Sequence, residues 1–197
     1  GCAGRCRSSA MMKTPFSRRG LRSSMSAVFL AVCLAHPLAA LAQMQAPEPD
    51  LKAAIISNML LFVDWPTAGA LAAPDDQLVV CYQGPSPVAD ALVRLDGKSV
   101  KGKVLTVVQV GNGKTGQCHA FYLAPGNSGN LGTILPDLGQ APIFVAADSP
   151  EYAKRGVMLN LDLAGGRVVF DIDLRSAQKA GLQISSKALR LARQVIE

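Results

Sequence analysis

Three short stretches of this chain are apolar almost without a break: Leu78–Tyr82, Cys118–Leu123 and Pro142–Ala147. A half-wet strand alternates apolar and polar residues. An unbroken run of this length suits a strand buried on both faces, the condition that parallel sheets create. Helical spacing separates these runs. Leu51, Ile55, Met59 and Phe62, with Ile56, Leu60 and Val63, give Asp50–Asp64 a wide apolar face. Asp50 is the predicted N-cap and Trp65-Pro66 the predicted stop. Further helices are predicted over Pro85–Leu95, Asn127–Leu138 and Ser149–Arg155, and a further strand over Val104–Val110.

The pattern then changes. Val157, Leu159, Leu161 and Leu163 alternate with Met158, Asn160 and Asp162, and Val168, Phe170, Ile172 and Leu174 alternate with Val169, Asp171 and Asp173. Gly165-Gly166 lies between them, which predicts a β-hairpin with one wet face. A short helix over Arg175–Ala180 follows, and a final helix from Ser185 or Ser186 to about Ile196, with Leu189, Ala192 and Ile196 inward. The predicted fold class is α/β: a single-domain sandwich of a mixed, mostly parallel sheet flanked by helices, ending in a hairpin and a helix.

The start of the chain reads differently. Arg5, Arg7, Lys13, Arg18, Arg19 and Arg22 meet no acid, and the apolar stretch Ser26–Leu41 ends in Ala40-Leu41-Ala42. A basic segment, a short apolar segment and a small-x-small site predict a secretory signal peptide over residues 1–42, removed after Ala42; an uncleaved anchor is the alternative. Arg18-Arg19 leaves the Sec and twin-arginine routes both open. Residues 43–49 form a polar lead-in, and 50–197 the domain. The whole chain carries 20 basic and 14 acidic residues. Subtracting the six of the leader leaves 14 against 14, so the mature domain has no net charge and no bulk basic footprint for nucleic acid.

Removing the leader also leaves two cysteines, Cys81 and Cys118. In an oxidising compartment such a pair reads as a disulfide, with two buried free thiols as the alternative.

Catalytic and metal sets are not found. His119 is the one histidine of the mature chain, too few for a zinc or Ser-His-Asp arrangement, and reads as an ordinary strand histidine. Gly111–Gly116 matches G-x-G-x-x-G, but a strand-like run follows it where a dinucleotide site needs a helix, so it reads as a turn. Asp162, Asp171 and Asp173 with Asn160 read as a solvated acidic face before a cation site. Lys187, Arg190 and Arg193 read as a solvated helix stripe. Trp65, the single tryptophan, is either an interface anchor or packing under the first helix. No enzyme activity, metal or cofactor is expected.

Taken in order, Phe62-Val63-Asp64-Trp65-Pro66, Leu78–Gly84, Gly97–Lys103, Gln117–Leu123, Arg155–Met158, Val169–Leu174 and Gly181–Lys187 resemble the YfiR family of small periplasmic proteins. The resemblance implies an α/β fold and a regulator that binds the periplasmic sensor domain of an inner-membrane diguanylate cyclase and holds it inactive. It further implies an OmpA-like outer-membrane partner that sequesters the inhibitor, with cyclic di-GMP and biofilm formation as the output. Cys81 and Cys118 match the family's inter-strand bridge. A second cysteine pair that some relatives carry near Tyr152–Leu159 is missing, and Asp173 stands where asparagine is common. On this reading the partner surface is expected on the hairpin's exposed face, at Met158, Asn160, Asp171 and Asp173, and at Trp65. A homodimer is left open, and a periplasmic small-molecule-binding or envelope-complex domain without catalytic activity is the alternative reading.

Overall fold

The computed structural model describes residues 46–197 apart from 67–75, 101, 112–116, 127–130, 139–140 and 151. The expected signal peptide, residues 43–45 of the lead-in and the glycine turn beyond Gly111 lie outside the described residues.

Helix α1 (Glu48–Met59) starts two residues before the predicted Asp50 cap. Pro47 takes the cap position and Pro49 lies in the first turn, where a missing N–H removes no helical bond. The helix also stops before Trp65-Pro66. A 3-10 turn, Leu60–Phe62, leads into β1 (Val63–Asp64), which pairs antiparallel with β9 (Gln183–Ile184). That pairing draws the chain out of the helix ahead of Pro66.

The main sheet contains β2 (Gln77–Gln83), β3 (Ser99–Val100), β4 (Lys103–Gln109), β5 (Ala120–Leu123), β6 (Phe144–Ala147), β7 (Leu159–Ala164), β8 (Arg167–Asp173) and β10 (Gln194–Ile196). Its order is β10-β8-β7-β6-β5-β2-β4-β3. Within this sheet, among the described residues, only β3–β4 and β7–β8 pair antiparallel; the other neighbours run parallel. The chain passes from β2 to β4 on one side and returns across β2 to β5, so the winding reverses between β2 and β5. Helices α2 (Pro87–Val93), α3 (Leu131–Leu138) and α4 (Leu174–Lys179) make the connections. The three unbroken apolar runs are the central strands. Tyr122, Phe121 and Phe144 are among the largest fully buried side chains, and β5 and β6 are buried at every position. Gly165 and Gly166 both take positive φ, 57° and 74°, as a two-residue hairpin turn requires.

The predicted last helix is corrected. Ser185 caps α5, which lasts only from Ser186 to Leu189. The Arg193 N–H then donates to Phe170 O, and Gln194–Ile196 adds to the sheet edge parallel to Asp171–Asp173. The apolar residues at 189, 192 and 196 fit a helical face, but a free strand edge on β8 competes for the same segment and takes it.

Candidate functional site

Cys81 on β2 and Cys118, just ahead of β5, are bonded, with Cα atoms 5.7 Å apart and both residues buried. The bridge joins the two strands between which the winding reverses.

At the carboxyl ends of the central strands lies a polar knot absent from the sequence-based site. Tyr122 Oη donates to Asp148 Oδ1 at 2.7 Å and lies 3.1 Å from Ser86 Oγ. Ser86 Oγ also accepts the Ala89 N–H at 3.0 Å, capping α2. Lys52 Nζ reaches Asp148 Oδ2 at 3.3 Å and Glu48 Oε1 at 2.7 Å. Burial first, and then the Asp148 charge, push the Tyr122 phenol well above its ordinary value, so it stays protonated and acts as a fixed donor. One signal was legible: Lys52 is spaced four and seven residues from Ile56 and Met59, which places it on the buried side of α1. A lysine there needs a buried carboxylate.

The expected wet face of the hairpin is corrected. Met158, Asn160, Asp171 and Asp173 are 2%, 1%, 7% and 8% exposed, so none offers a surface to a partner. Each acid is held locally. Arg193 donates from Nε and Nη2 to both oxygens of Asp171 at 2.8 and 2.6 Å, and from Nη1 to Asp162 Oδ2 at 2.9 Å. These bonds, with the Leu163 N–H, hold the Asp162 carboxyl below the usual carboxylate range. Asp173 caps α4 by accepting from Ser176 N and Ser176 Oγ at 2.9 and 2.7 Å. Asn160 Oδ1 is buried without a partner. Arg193 is therefore a clasp between the last strand and the hairpin, not part of a solvated stripe.

Trp65 is half-buried and meets the His119 ring edge-to-face, centroids 5.5 Å apart. With Leu60, Val63, Leu78, Asp64 and Lys103 these rings line a cavity of about 330 Å³. His119 Nδ1 accepts the Val79 N–H at 3.0 Å, which places the proton of the neutral ring on Nε2. Burial first, then the nearby Lys103 charge, lower the His119 pKa below its ordinary 6.5. The unfolded ring therefore takes its proton first, and unfolding stability is expected to hold above about pH 6.5 and to fall as pH drops through that value. Urea melts at about pH 7.5 and pH 5.5 check this. His119→Asn, which offers an acceptor to Val79 without titrating, should flatten the dependence; an unchanged slope in that variant would assign it elsewhere.

The strand order β4-β2-β5-β6-β7 is that of a doubly wound, flavodoxin-like sheet, here cross-linked by a buried disulfide at its reversal point. The class is a small, disulfide-tied α/β domain. Residues 49–193 match the YfiR/HmsC-like family, and the chain belongs to it. At the level of the family this carries a periplasmic regulatory role in cyclic di-GMP signalling. Among solved structures, a conserved domain protein from Vibrio cholerae O1 biovar El Tor aligns with a TM-score of 0.49 at 14% identity, over 75% of this chain and 60% of that one. An ABC domain in complex with L-Trp from Streptococcus pneumonia aligns with a TM-score of 0.50 at 10% identity, with the same coverage of 75% and 60%. The chain thus spans about three-fifths of these proteins' length, and at 10% identity the second likeness speaks for the fold alone. Among the described residues, no helix is long and apolar enough to cross a membrane.

Proposed function

We propose that this protein is a periplasmic regulator that binds the periplasmic sensor domain of an inner-membrane diguanylate cyclase and holds it inactive. The family match across residues 49–193 carries the reading. Repression works by differential affinity: the protein binds the inactive state of the sensor domain more tightly and shifts its equilibrium. A shift from 1:99 to 99:1 requires roughly 5.5 kcal/mol of such preference. An OmpA-like outer-membrane lipoprotein competing for the same surface would release the cyclase.

Since the inward residues of the hairpin are buried, the contact surface is proposed at its exposed tip and the neighbouring turn. Leu163 is 47% and Leu191 68% exposed. Leu163 pairs with Val168 on β8, and the Arg193–Phe170 bond runs the segment carrying Leu191 beside the same strand. Exposed Arg167 and Arg190 flank the two leucines, the apolar-plus-arginine composition typical of an interface centre. Trp65 remains a proposed second anchor.

Deleting the gene is expected to raise cellular cyclic di-GMP, and the secreted wild-type protein to restore it. Leu191→Glu should fail to restore it while its melting curve stays within about 0.5 kcal/mol of wild type, as for other surface substitutions. No rise on deletion would overturn the regulatory reading. Full restoration by Leu191→Glu would remove this surface from it.

A further inference from the structure

Beyond the proposed anchor role of Trp65, the cavity beside it has a lining of distinct chemistry. One wall is aliphatic, from Leu60, Val63 and Leu78. The polar groups of the lining are mostly donors. His119 Nδ1 is occupied by Val79, so its Nε2 carries the proton. Lys103 lies close enough to act on the His119 charge and has no ion pair among the described residues. Trp65 Nε1 is buried without an acceptor, a rare state for an indole N–H. The one acid, Asp64, is exposed and sits on β1.

We propose that this cavity binds a small carboxylate with an aliphatic body. The carboxylate lies toward Lys103 and His119 Nε2. The chain lies along Leu60, Val63 and Leu78. A single lysine suits a single negative charge, and a volume of about 330 Å³ suits a short chain. Mostly apolar walls with few polar groups are the usual make-up of such a site. A phosphate dianion would find too few donors and an aliphatic wall it cannot use. This inference stands independently of the cyclase reading.

Trp65 is the chain's only tryptophan, so its emission reports the cavity directly. Titration of the mature protein with hexanoate is expected to change that emission saturably, while hexylamine, of equal length and opposite charge, should not. Lys103→Met should weaken hexanoate binding by roughly tenfold or more. Asp64→Asn, at an exposed position, should tighten it by removing a repulsive charge, a change that misfolding cannot imitate. The proposal is overturned if hexanoate and hexylamine act alike, if no saturable change occurs up to about 10 mM hexanoate, or if both variants bind as wild type does.

Discussion

Replacing Cys81 and Cys118 together by alanine is expected to lower the melting temperature by roughly 10 °C or more. The bridge closes a loop with a sequence separation of 37 residues. In the chain-entropy treatment, opening a loop of that size costs about 4 kcal/mol. For a domain of this length each kcal/mol is about 2–4 °C. The loop closed is the whole excursion from β2 out through β3 and β4 at the sheet edge and back to β5, so the bond restricts the longest crossover between paired strands of the main sheet. Both cysteines are at most 2% exposed, so the native bond is shielded from reductant and should open mainly through unfolding. Calorimetry of the double variant and of oxidised protein, with and without dithiothreitol, measures the effect. A shift below about 3 °C would mean that packing between β2 and β5 holds the crossover without the bond. Measuring cyclase repression by the double variant then separates a structural role from a regulatory one: a folded variant that still represses has only a structural bridge.

The parts of this fold that were legible were those in which one residue type decides the matter locally. Leu78–Tyr82 had to be a strand buried on both faces, and β2 is an interior strand of the sheet, buried from Leu78 to Cys81. Gly165-Gly166 had to be a turn, since two successive positive φ values are cheap only for glycine. Where the expectation failed, a distant partner made the difference. Alternation shows which residues share a face but not whether another element covers it. Asp171 looked solvated because its partner, Arg193, lies 22 residues further on, in a segment that itself looked helical. The two errors are one: once Gln194–Ile196 joins β8 as a strand, Arg193 is carried onto Asp171 and Asp162, and the acidic face closes.

The candidate sites divide in the same way. The disulfide followed from cysteine count and compartment. The knot at the strand ends joins Lys52, Ser86, Tyr122 and Asp148, residues up to 96 positions apart. The sequence reading singled out none of them, and the position of Lys52 on the buried side of α1 is the one signal that could have. The Trp65–His119 pair is similar: each residue was singled out alone, and only the sheet register brings the rings together.

Lys52→Met is expected to destabilise the domain by about 3–5 kcal/mol, the usual cost of leaving one member of a buried ion pair unmatched. The Lys52 and Asp148 side chains are 9% and 8% exposed. Methionine fills nearly the same volume, so the loss is electrostatic: Asp148 would keep only the Tyr122 hydroxyl. The contact with Glu48 counts for little, because that side chain is 39% exposed and water replaces the pair at small cost. Glu48→Gln should therefore cost under about 1 kcal/mol. The pH dependence separates charge from packing. Burial alone would lower the Lys52 pKa, but the hydrogen bond and charge of Glu48 and those of Asp148 outweigh it, and the folded value lies above the ordinary 10.5. Stabilisation by the lysine is then complete below about pH 10.5 and fades as pH rises through the folded value, so the gap between wild type and Lys52→Met should narrow in strong alkali. Asp148→Asn added to Lys52→Met should recover much of the loss, because asparagine still accepts from Tyr122 and leaves no buried charge. Urea unfolding of the two single variants and the double variant closes the cycle. Additive losses would show that Lys52 and Asp148 act separately, and that α1 is held to the strand ends by its apolar face alone.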